Sequence, residues 1–416
     1  MMYSSYFQLA LILGIFKSGF FFGQELSSVS GTVVVAASGQ QIPYASLGIK
    51  KQLIGIVTNE DGKFELKLPA DSENDTLVVI AFGYEHSKTA INSIRGHMIL
   101  SLISAPIQLQ EVDVIPLSPE QHIRMAMRKT AQNYPSASFE SLAYYREKLL
   151  ENKEFIKMDE GIFKTFCPNY LDTVKNQDQL LLYRTAENTK AVSFMSKESK
   201  KNSNDEKDGE KVEGKHVDLD LTSSFGGPEE IFKSSRINPK TSSFLDTLQL
   251  HDYRYSFAAS GYEDFMVIEF NSKGKVDHVR ESGRIFIDRG SFAIVKIEEN
   301  GDFIIPILIR PVLFLYGLGI ENPSFVKHVE FQQVKGKWYP SYIHYSINLN
   351  LTRRHLFSRN EHALFEIEQI YAVNRLIVDN PKTIDSEKRF QSSKKMKDQL
   401  FNDENLNWET VNIIQR

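Results

Sequence analysis

Residues 28–69 read SVSGTVVVAASGQQIPYASLGIKKQLIGIVTNEDGKFELKLP, and this stretch decides the fold of the N-terminal part of the chain. Short apolar runs alternate with turn residues at the spacing typical of a small antiparallel β-sandwich. Ala45, Leu47 and Ile49 alternate with small or polar neighbours, so one face of that strand is predicted to be buried. Residues 59–62 (NEDG) predict a tight turn, because Asn and Asp accept local backbone hydrogen bonds and Gly tolerates a positive φ.

Two later segments complete the pattern, NDTLVVIAFGYE at 74–85 and IQLQEVDVI at 107–115. Together with the IPYAS and GIVTNEDGKFELKLP segments, they resemble the carboxypeptidase-regulatory-like domain over residues 28–115. The resemblance implies a transthyretin-like β-sandwich of seven strands in two antiparallel sheets packed face to face. It also implies a non-catalytic module on an exported protein of the Bacteroidetes cell envelope.

Length and composition indicate a folded protein of more than one domain. The chain has 416 residues, so two or three domains are expected. Hydrophobic residues make up 41%, and 28 Phe with 17 Tyr favour a β-rich core. The formal net charge is −4. A nucleic-acid partner normally needs a basic face, so we expect none.

Residues 1–23 are predicted to be a signal peptide. An apolar run from Tyr6 to Phe22 precedes small and polar residues at Gly23 and Gln24, as in export signals. The alternative is a short N-terminal anchor that stays in place. We therefore expect export to the periplasm or the outer membrane. The sequence leaves open membrane association, the face of the outer membrane that the mature chain meets, and the oligomeric state.

Cys167 is the only cysteine. No intrachain disulfide is possible, so stability must come from packing. No cysteine follows the signal segment, which argues against a lipid-anchored lipoprotein. An exported chain without disulfides fits a bacterial envelope better than eukaryotic secretion. No activating pattern surrounds Cys167, so we interpret it as a buried or partly buried thiol and not as a nucleophile.

Residues 118–376 predict a second, larger α+β domain, which makes the whole chain mainly β. The segment SPEQHIRMAMRKTAQNYP at 118–135 predicts a helix with Ser118 as its N-cap and Pro119 at the first helical position. Short turns between strand candidates indicate a long, curved antiparallel sheet that wraps into a half-barrel around a helix. The candidates are Ser141–Leu150, Phe155–Phe166, Leu180–Thr185, His251–Ala258, Phe265–Asn271, Ser282–Asp288, Phe292–Glu298, Ser324–Val334, Trp338–Asn350 and Ala363–Val373.

Three further segments of the larger domain have a distinct character. Residues 282–303 resemble a hairpin of lipoprotein-carrier-like folds, and the whole layout resembles a group of uncharacterised Bacteroidetes envelope proteins. Residues 196–218 mix acids and lysines without an apolar cluster, so they predict a disordered insertion. The tail, 381–416, is charged, and its part 381–400 is predicted to be helical or loosely ordered.

Residues 303–320 read FIIPILIRPVLFLYGLGI and are long enough to suggest a membrane span. Arg310 in the middle and the helix breakers Pro306 and Pro311 argue against one. Two interpretations stay open. The segment is either a buried core segment or a lipid- or peptide-facing apolar wall of the half-barrel.

No catalytic, cofactor-binding or metal-binding residue is predicted. The pair His278 and Glu281 has the spacing of a zinc carboxypeptidase motif, but it lies in a charged turn and the spacing arises easily by chance. Possible third ligands have no supporting pattern; they are His328, His344, His355 and His362. Arg146 and Glu147 are interpreted as solvent-facing charges on a strand. Glu60 and Asp61 are interpreted as turn residues and not as a cation site.

The sequence thus favours a non-enzymatic, exported envelope protein. The sandwich would serve for docking, and the β-rich domain would bind a protein or hydrophobic partner. The first alternative is a lipid or lipoprotein handling protein with an apolar cavity beneath the sheet. The second is a hydrolase whose site has no recognisable motif.

Overall fold

The computed structural model describes residues 27–49, 54–69, 72–81, 83–94, 96–104, 117–188, 226–258, 265–305, 318–354, 359–401 and 406–414. The predicted signal peptide 1–23, the predicted insertion 196–218 and most of the apolar segment 303–320 lie outside these residues. Within the described part, no helix has the length and hydropathy needed to cross a membrane.

Seven strands form the N-terminal module, as the described residues 27–104 show. They are β1 (Ser27–Val35), β2 (Ser46–Ile49), β3 (Ile54–Val57), β4 (Lys63–Leu68), β5 (Thr76–Ile80), β6 (Ser87–Ala90) and β7 (His97–Leu102). One sheet has the order β4-β1-β7 and the other β3-β2-β5-β6. The predicted seven-stranded sandwich is therefore confirmed. The prediction of two purely antiparallel sheets is wrong in one pairing, because β1 and β7 run parallel.

The module has a core of its own, drawn from residues between Val29 and Leu102. The predicted alternation is confirmed, since Ala45, Leu47 and Ile49 are all buried. The turn at 59–62 is also confirmed. Asn59 Oδ1 accepts hydrogen bonds from the backbone N–H groups of Asp61 (3.0 Å) and Lys63 (2.9 Å), which is the local bonding that such turns need.

Ten strands and three α-helices make up the described part of the larger region. The helices are α1 (Pro119–Arg128), α2 (Thr130–Asn133) and α3 (Gly227–Ser234). The strands are β8 (Phe139–Glu151), β9 (Glu154–Cys167), β10 (Gln177–Glu187), β11 (Tyr253–Phe257), β12 (Phe265–Ser272), β13 (Val279–Asp288), β14 (Ile294–Phe303), β15 (Leu318–Val334), β16 (Lys337–Arg353) and β17 (Glu361–Ile377). All ten predicted strands are present. Ser118 is the N-cap of α1, as predicted, and it forms a capping box with Gln121.

The strands form one sheet in the order β11-β12-β13-β14-β15-β16-β17-β8-β9-β10. Strands β11 to β17 are the predicted antiparallel meander. The first strand of the region, β8, then pairs with the last, β17. The edge strand β10 is covered by the tail, whose Phe390 and Phe401 N–H groups donate to the Asp178 and Leu180 carbonyls. Covering an edge in this way satisfies backbone groups that would otherwise pair with another chain.

One face of the sheet, called here the inner face, carries the main core. Side chains from both ends of the sheet join one cluster with the helices, for example Leu180 of β10, Tyr253 of β11 and Phe232 of α3. A sheet whose two ends share one core must curve around it. Twelve of the described buried residues in this core are Phe or Tyr, and the helices α1 and α3 fill the concave side.

The other face, called here the outer face, receives the module and the end of the chain. Strand β3 pairs with β17 through Ile54 and Arg375, so the module touches the large sheet and keeps its own core. Residues 381–400, which were predicted to be helical or loosely ordered, contain two short 3-10 turns, Ser386–Lys388 and Met396–Gln399. Farther along, Val411 and Ile414 are buried in a cluster with Val57 of the module and Tyr144 of the sheet.

Candidate functional site

A row of charged side chains crosses the outer face beneath the module. Arg146 of β8 donates from Nη2 to Glu368 Oε2 of β17 at 2.9 Å. His344 of β16 lies on the other side of the same carboxylate, with Nε2 3.4 Å from Glu368 Oε1. The three strands are neighbours in the sheet, so the register of the sheet brings these groups together.

The prediction that Arg146 and Glu147 face solvent is wrong. Arg146 is only 7% exposed and Glu147 is 0% exposed. Neighbours on a strand point to opposite faces, so Arg146 lies on the outer face under the module. Glu147 lies on the inner face, where it accepts hydrogen bonds from the Tyr145 hydroxyl and from Gln369 Nε2.

Tyr44 of the module covers this charged row. Its ring stacks on Tyr342 with 5.8 Å between centroids and on His344 with 6.1 Å. Tyr44 has a φ of 58°, in the left-handed region where a bulky side chain is rare and strained. The corner after Pro43 therefore holds Tyr44 in an unfavourable backbone conformation in which its ring lies on the large sheet.

The environment fixes the protonation of two groups here. Burial raises the pKa of Glu368, but the contact with His344 and the charge of Arg146 outweigh burial and lower this pKa to about 2. Burial, together with the charges of Glu60 and Glu368, raises the pKa of Tyr44 to about 12. At neutral pH Glu368 is thus ionised, and the Tyr44 hydroxyl keeps its proton.

A second matched pair continues the row toward the edge of the sheet. Arg184 donates from Nε and Nη2 to the two Glu160 oxygens at 2.8 and 3.0 Å, and the Tyr144 hydroxyl donates to Glu160 Oε1 at 2.5 Å. The Arg184 guanidinium also lies 4.3 Å from the centre of the Trp408 ring in the tail. Both buried carboxylates of this row are therefore matched by arginines.

A cleft of about 370 Å³ opens beside this row, at the junction of module, sheet and tail. We call it the junction cleft. Its polar lining comes from Tyr44 and the turn Asn59–Glu60–Asp61 of the module and from Arg146 and Lys148 of β8. Among the described residues, Lys148 and Glu60 form no ion pair, and Arg146 Nε is buried without a hydrogen-bond partner. The cleft thus has unused donors on its floor and an unused carboxylate on its wall.

The remaining lining of the junction cleft is apolar: Phe155, Met158, Ala186, Ile370 and Ile414. The sheet register explains the floor. Ile370 faces Arg146, Lys148 faces Met158, and Met158 faces Ala186 across successive strand pairs. Four adjacent strands therefore present a mixed apolar and basic floor, and Ile414 of the tail closes one side.

The zinc-like pair is not assembled into a metal site. His278 is exposed in a turn at a positive φ of 67°. Glu281 is buried on the inner face and accepts a hydrogen bond from the Tyr253 hydroxyl at 2.5 Å. Burial and the charge of Glu299 raise the pKa of Glu281 to about 7. In the described part of the chain, no three His, Cys, Asp or Glu side chains gather at a distance suited to a metal ion.

The other candidate residues have structural surroundings. His328 and His344 are neighbours on the outer face, with 6.0 Å between ring centroids, and His362 Nδ1 lies 2.9 Å from Thr352 Oγ1. His355 lies outside the described residues. Cys167 is buried, and burial raises the pKa of its thiol to about 12. A thiol in that state is a poor nucleophile.

Sequence reasoning did not find the junction cleft, because its residues come from positions 44, 59–61, 146–148, 370 and 414. One signal was nevertheless available. In YYREK, Arg146 and Glu147 are neighbours on a strand, so they point to opposite faces and cannot both face solvent in a covered sheet.

Residues 29–114 match the family model of the CarboxypepD_reg-like domain. The predicted resemblance is confirmed for this part of the chain, and it identifies the module class and not the larger sheet. A search of the curated proteins found no match to the chain.

A search of the solved structures found matches of low sequence identity, three of which follow. A protein of unknown function from Bacteroides fragilis, proposed to be membrane-associated, covers 84% of this chain and 98% of its own at 10% identity, with a TM-score of 0.15. A LolA superfamily protein from Nitrosomonas europaea covers 66% and 99% at 8% identity, with a TM-score of 0.24. A structure of lipovitellin covers 62% and 27% at 7% identity, with a TM-score of 0.24. TM-scores of this size do not establish a shared fold.

Proposed function

We propose that the chain is a non-enzymatic, exported protein of a bacterial cell envelope that binds a segment of a partner protein in the junction cleft. Export is supported by the apolar run from Tyr6 to Phe22, and the single cysteine fits a bacterial envelope better than eukaryotic secretion. The module class, which the match over residues 29–114 identifies, supports a docking role.

The observation that carries this proposal is the junction cleft itself. It is the place where three separate parts of the chain meet, and its floor and wall hold charged groups that the protein does not pair internally. Its volume of about 370 Å³ lies in the range of ligand pockets, about 300–1,000 Å³. The alternative of a hydrolase finds less support, because the carboxylates next to the cleft, Glu160 and Glu368, are engaged by arginines.

A lipid-handling role would need an apolar cavity beneath the sheet. The described part of the inner face is instead packed against α1 and α3, with Ile123, Ile231 and Phe232 buried in the main core. The segment 303–320, which would line the mouth of such a cavity, lies mostly outside the described residues. The lipid hypothesis therefore remains a prediction without a described cavity to support it.

Site-specific photo-crosslinking in cells that make the protein natively tests the proposed function. A p-benzoylphenylalanine at Ala186, in the junction cleft, should give a covalent adduct with a partner protein in the envelope fraction. The same group at Leu248, which is 83% exposed and far along the chain from the cleft, is the control and should give none. Adducts only with lipid, or equal protein adducts at both positions, would contradict the proposal.

A further inference from the structure

We infer that the junction cleft recognises the free C-terminus of a protein chain whose last residue is apolar. The terminal carboxylate lies at Lys148 and Arg146, and the last side chain lies on the apolar floor. This inference rests on the proposed function, because it names the chemistry of the partner segment. Three features of the described residues lead to it.

The first feature is a pair of cationic groups with unused donors. Lys148 and Arg146 are two residues apart on β8 and therefore share the outer face. Lys148 has no ion pair among the described residues, and Arg146 uses Nη2 for Glu368 while its buried Nε has no partner. A carboxylate beside Lys148 accepts a hydrogen bond from Nζ, and the neighbouring Arg146 guanidinium adds positive charge at the same place. Charge-assisted bonds of this kind are the strong ones.

The second feature is the apolar floor next to these cations. Met158 lies directly across from Lys148, and Ile370 lies directly across from Arg146. Phe155 and Ile414 add apolar surface at the sides. In a C-terminal residue, the carboxylate and the side chain are attached to the same carbon atom. A carboxylate at Lys148 would therefore place the last side chain on this apolar floor. The cleft volume, about 370 Å³, suits one or two residues and not a folded domain.

The third feature is the carboxylate wall that the module supplies. Glu60 lines the cleft on the side of the module, is exposed, and has no ion pair among the described residues. Its neighbour Asp61 is instead paired with Lys63 at 3.2 Å. The main chain of a peptide has N–H groups close to its C-terminus. The Glu60 carboxylate can accept a hydrogen bond from such a group. A fatty acid shares the carboxylate and the apolar chain but has no donor for Glu60, so the charge pattern favours a peptide.

The test uses the mature full-length chain, two fluorescent probes and one unlabelled competitor. The first is a pool of hexapeptides with apolar last residues and free C-termini. The second is the same pool with C-terminal amides. Decanoate serves as an unlabelled competitor. Fluorescence anisotropy should show the free-acid pool binding at least about tenfold more tightly than the amide pool, because the amide removes a charged acceptor. Decanoate should compete poorly.

Two variants and one matched control connect the binding to the cleft. Lys148→Met should weaken binding of the free-acid pool about tenfold and leave the amide pool unchanged. Glu60→Gln should weaken the binding of both pools about threefold, because it replaces the charged acceptor of the main-chain N–H with a neutral one. Lys175→Met removes the same charge from the exposed loop between β9 and β10 and should change nothing. Melting temperatures of all three variants should stay at the wild-type value.

Several results would overturn the inference. Equal affinity for the acid and amide pools would show that the terminal carboxylate is not recognised. Strong competition by decanoate would indicate that the ligand is a fatty acid. If no probe binds, the cleft is not a binding site for a C-terminus. The proposed function survives these failures if Ala186 still crosslinks to a partner through an internal segment, whereas loss of that adduct would contradict both.

Discussion

The two faces of the large sheet differ in how they use charge. On the inner face, aromatic and aliphatic side chains surround the helices, and the carboxyl group of Glu281 is buried near a second carboxylate, Glu299, without an arginine partner. On the outer face, Glu160 and Glu368 are each held by an arginine. Strand β8 contributes to both faces, with Tyr145 inside and Arg146 outside. Alternation along a strand thus lets one element stabilise the core and form the junction cleft.

We expect the largest loss of stability from a substitution on the inner face. Phe232 of α3 is 1% exposed, and its ring centroid lies 5.7 Å from that of Tyr371. Replacing Phe232 by Ala removes that packing and leaves a cavity, so it should lower the free energy of unfolding by about 3–5 kcal/mol. Urea denaturation followed by far-UV circular dichroism measures the change.

Phe232→Leu keeps most of the volume and serves as the control, with an expected loss of about 1.5 kcal/mol or less. Equal, small losses for both variants would mean that α3 does not fill the concave side. The comparison between a packed inner face and a binding outer face would then fail.

The second prediction concerns the outer-face carboxylate Glu368. Its pKa is lowered from 4.5 to about 2, so its stabilising contribution is present above pH 4.5 and lost as the pH falls through 2. Glu368→Gln also leaves the buried Arg146 without its counter-charge. We expect the variant to be less stable than the wild type by about 3 kcal/mol at pH 7. Denaturation curves at pH 7, 4 and 2.5 should show this difference shrinking toward zero. A difference that stays constant over that range would contradict the ion pair.

The inner-face carboxyl Glu281 should show the opposite pH dependence. Burial and then the charge of Glu299 raise its pKa from 4.5 to about 7. Its favourable contribution is therefore present below pH 4.5 and lost as the pH rises through 7. Glu281→Gln keeps an acceptor for Tyr253 and removes this loss, so the variant should be more stable than the wild type by about 2 kcal/mol at pH 8. At pH 4.5 the two should be nearly equal.

Thermal unfolding at pH 4.5, 6 and 8 measures this trend for Glu281→Gln. Glu269→Gln, at an exposed position on the adjacent strand β12, is the matched control and should have no pH-dependent effect. If Glu281→Gln were less stable than the wild type at pH 8, the account of an uncompensated inner-face carboxyl would be wrong.

The smallest expected effect concerns the tail that joins the module to the outer face. Asn412 accepts a hydrogen bond from the Lys67 backbone N–H at 2.8 Å through Oδ1, and Asn374 Nδ2 donates to its carbonyl at 2.7 Å. Asn412→Ala removes the side-chain acceptor and should lower stability by about 1 kcal/mol. Hydrogen exchange should become faster at the Lys67 amide and stay unchanged in α1. Unchanged exchange at Lys67 would show that the tail does not hold the module.

Much of this fold could be predicted from the sequence, because its elements are local. The alternation of Ala45, Leu47 and Ile49 predicted the buried face of the module strand, and Ser118 with Pro119 predicted the start of α1. The meander followed from strands separated by short turns. The pairing of β8 with β17 could not be predicted, since no local pattern encodes contacts between residues so far apart in sequence.

The junction cleft was also beyond sequence reasoning. It needs the docking of the module on the outer face and the return of the tail to Val57 and Tyr144. Arg146 was assigned to solvent because charges usually lie there. Arg146 is buried only because the module covers it, and the sequence does not show where the module docks. The strand itself was predicted correctly.

Hydrogen–deuterium exchange of the mature chain, with and without the free-acid peptide pool, tests the central claim most directly. The account predicts slower exchange in the turn at 59–63, along 144–148 of β8 and in 406–414 of the tail, with no change in α1 or α3. Slower exchange confined to α1 and α3 would place the ligand on the inner face and contradict the division of roles between the two faces.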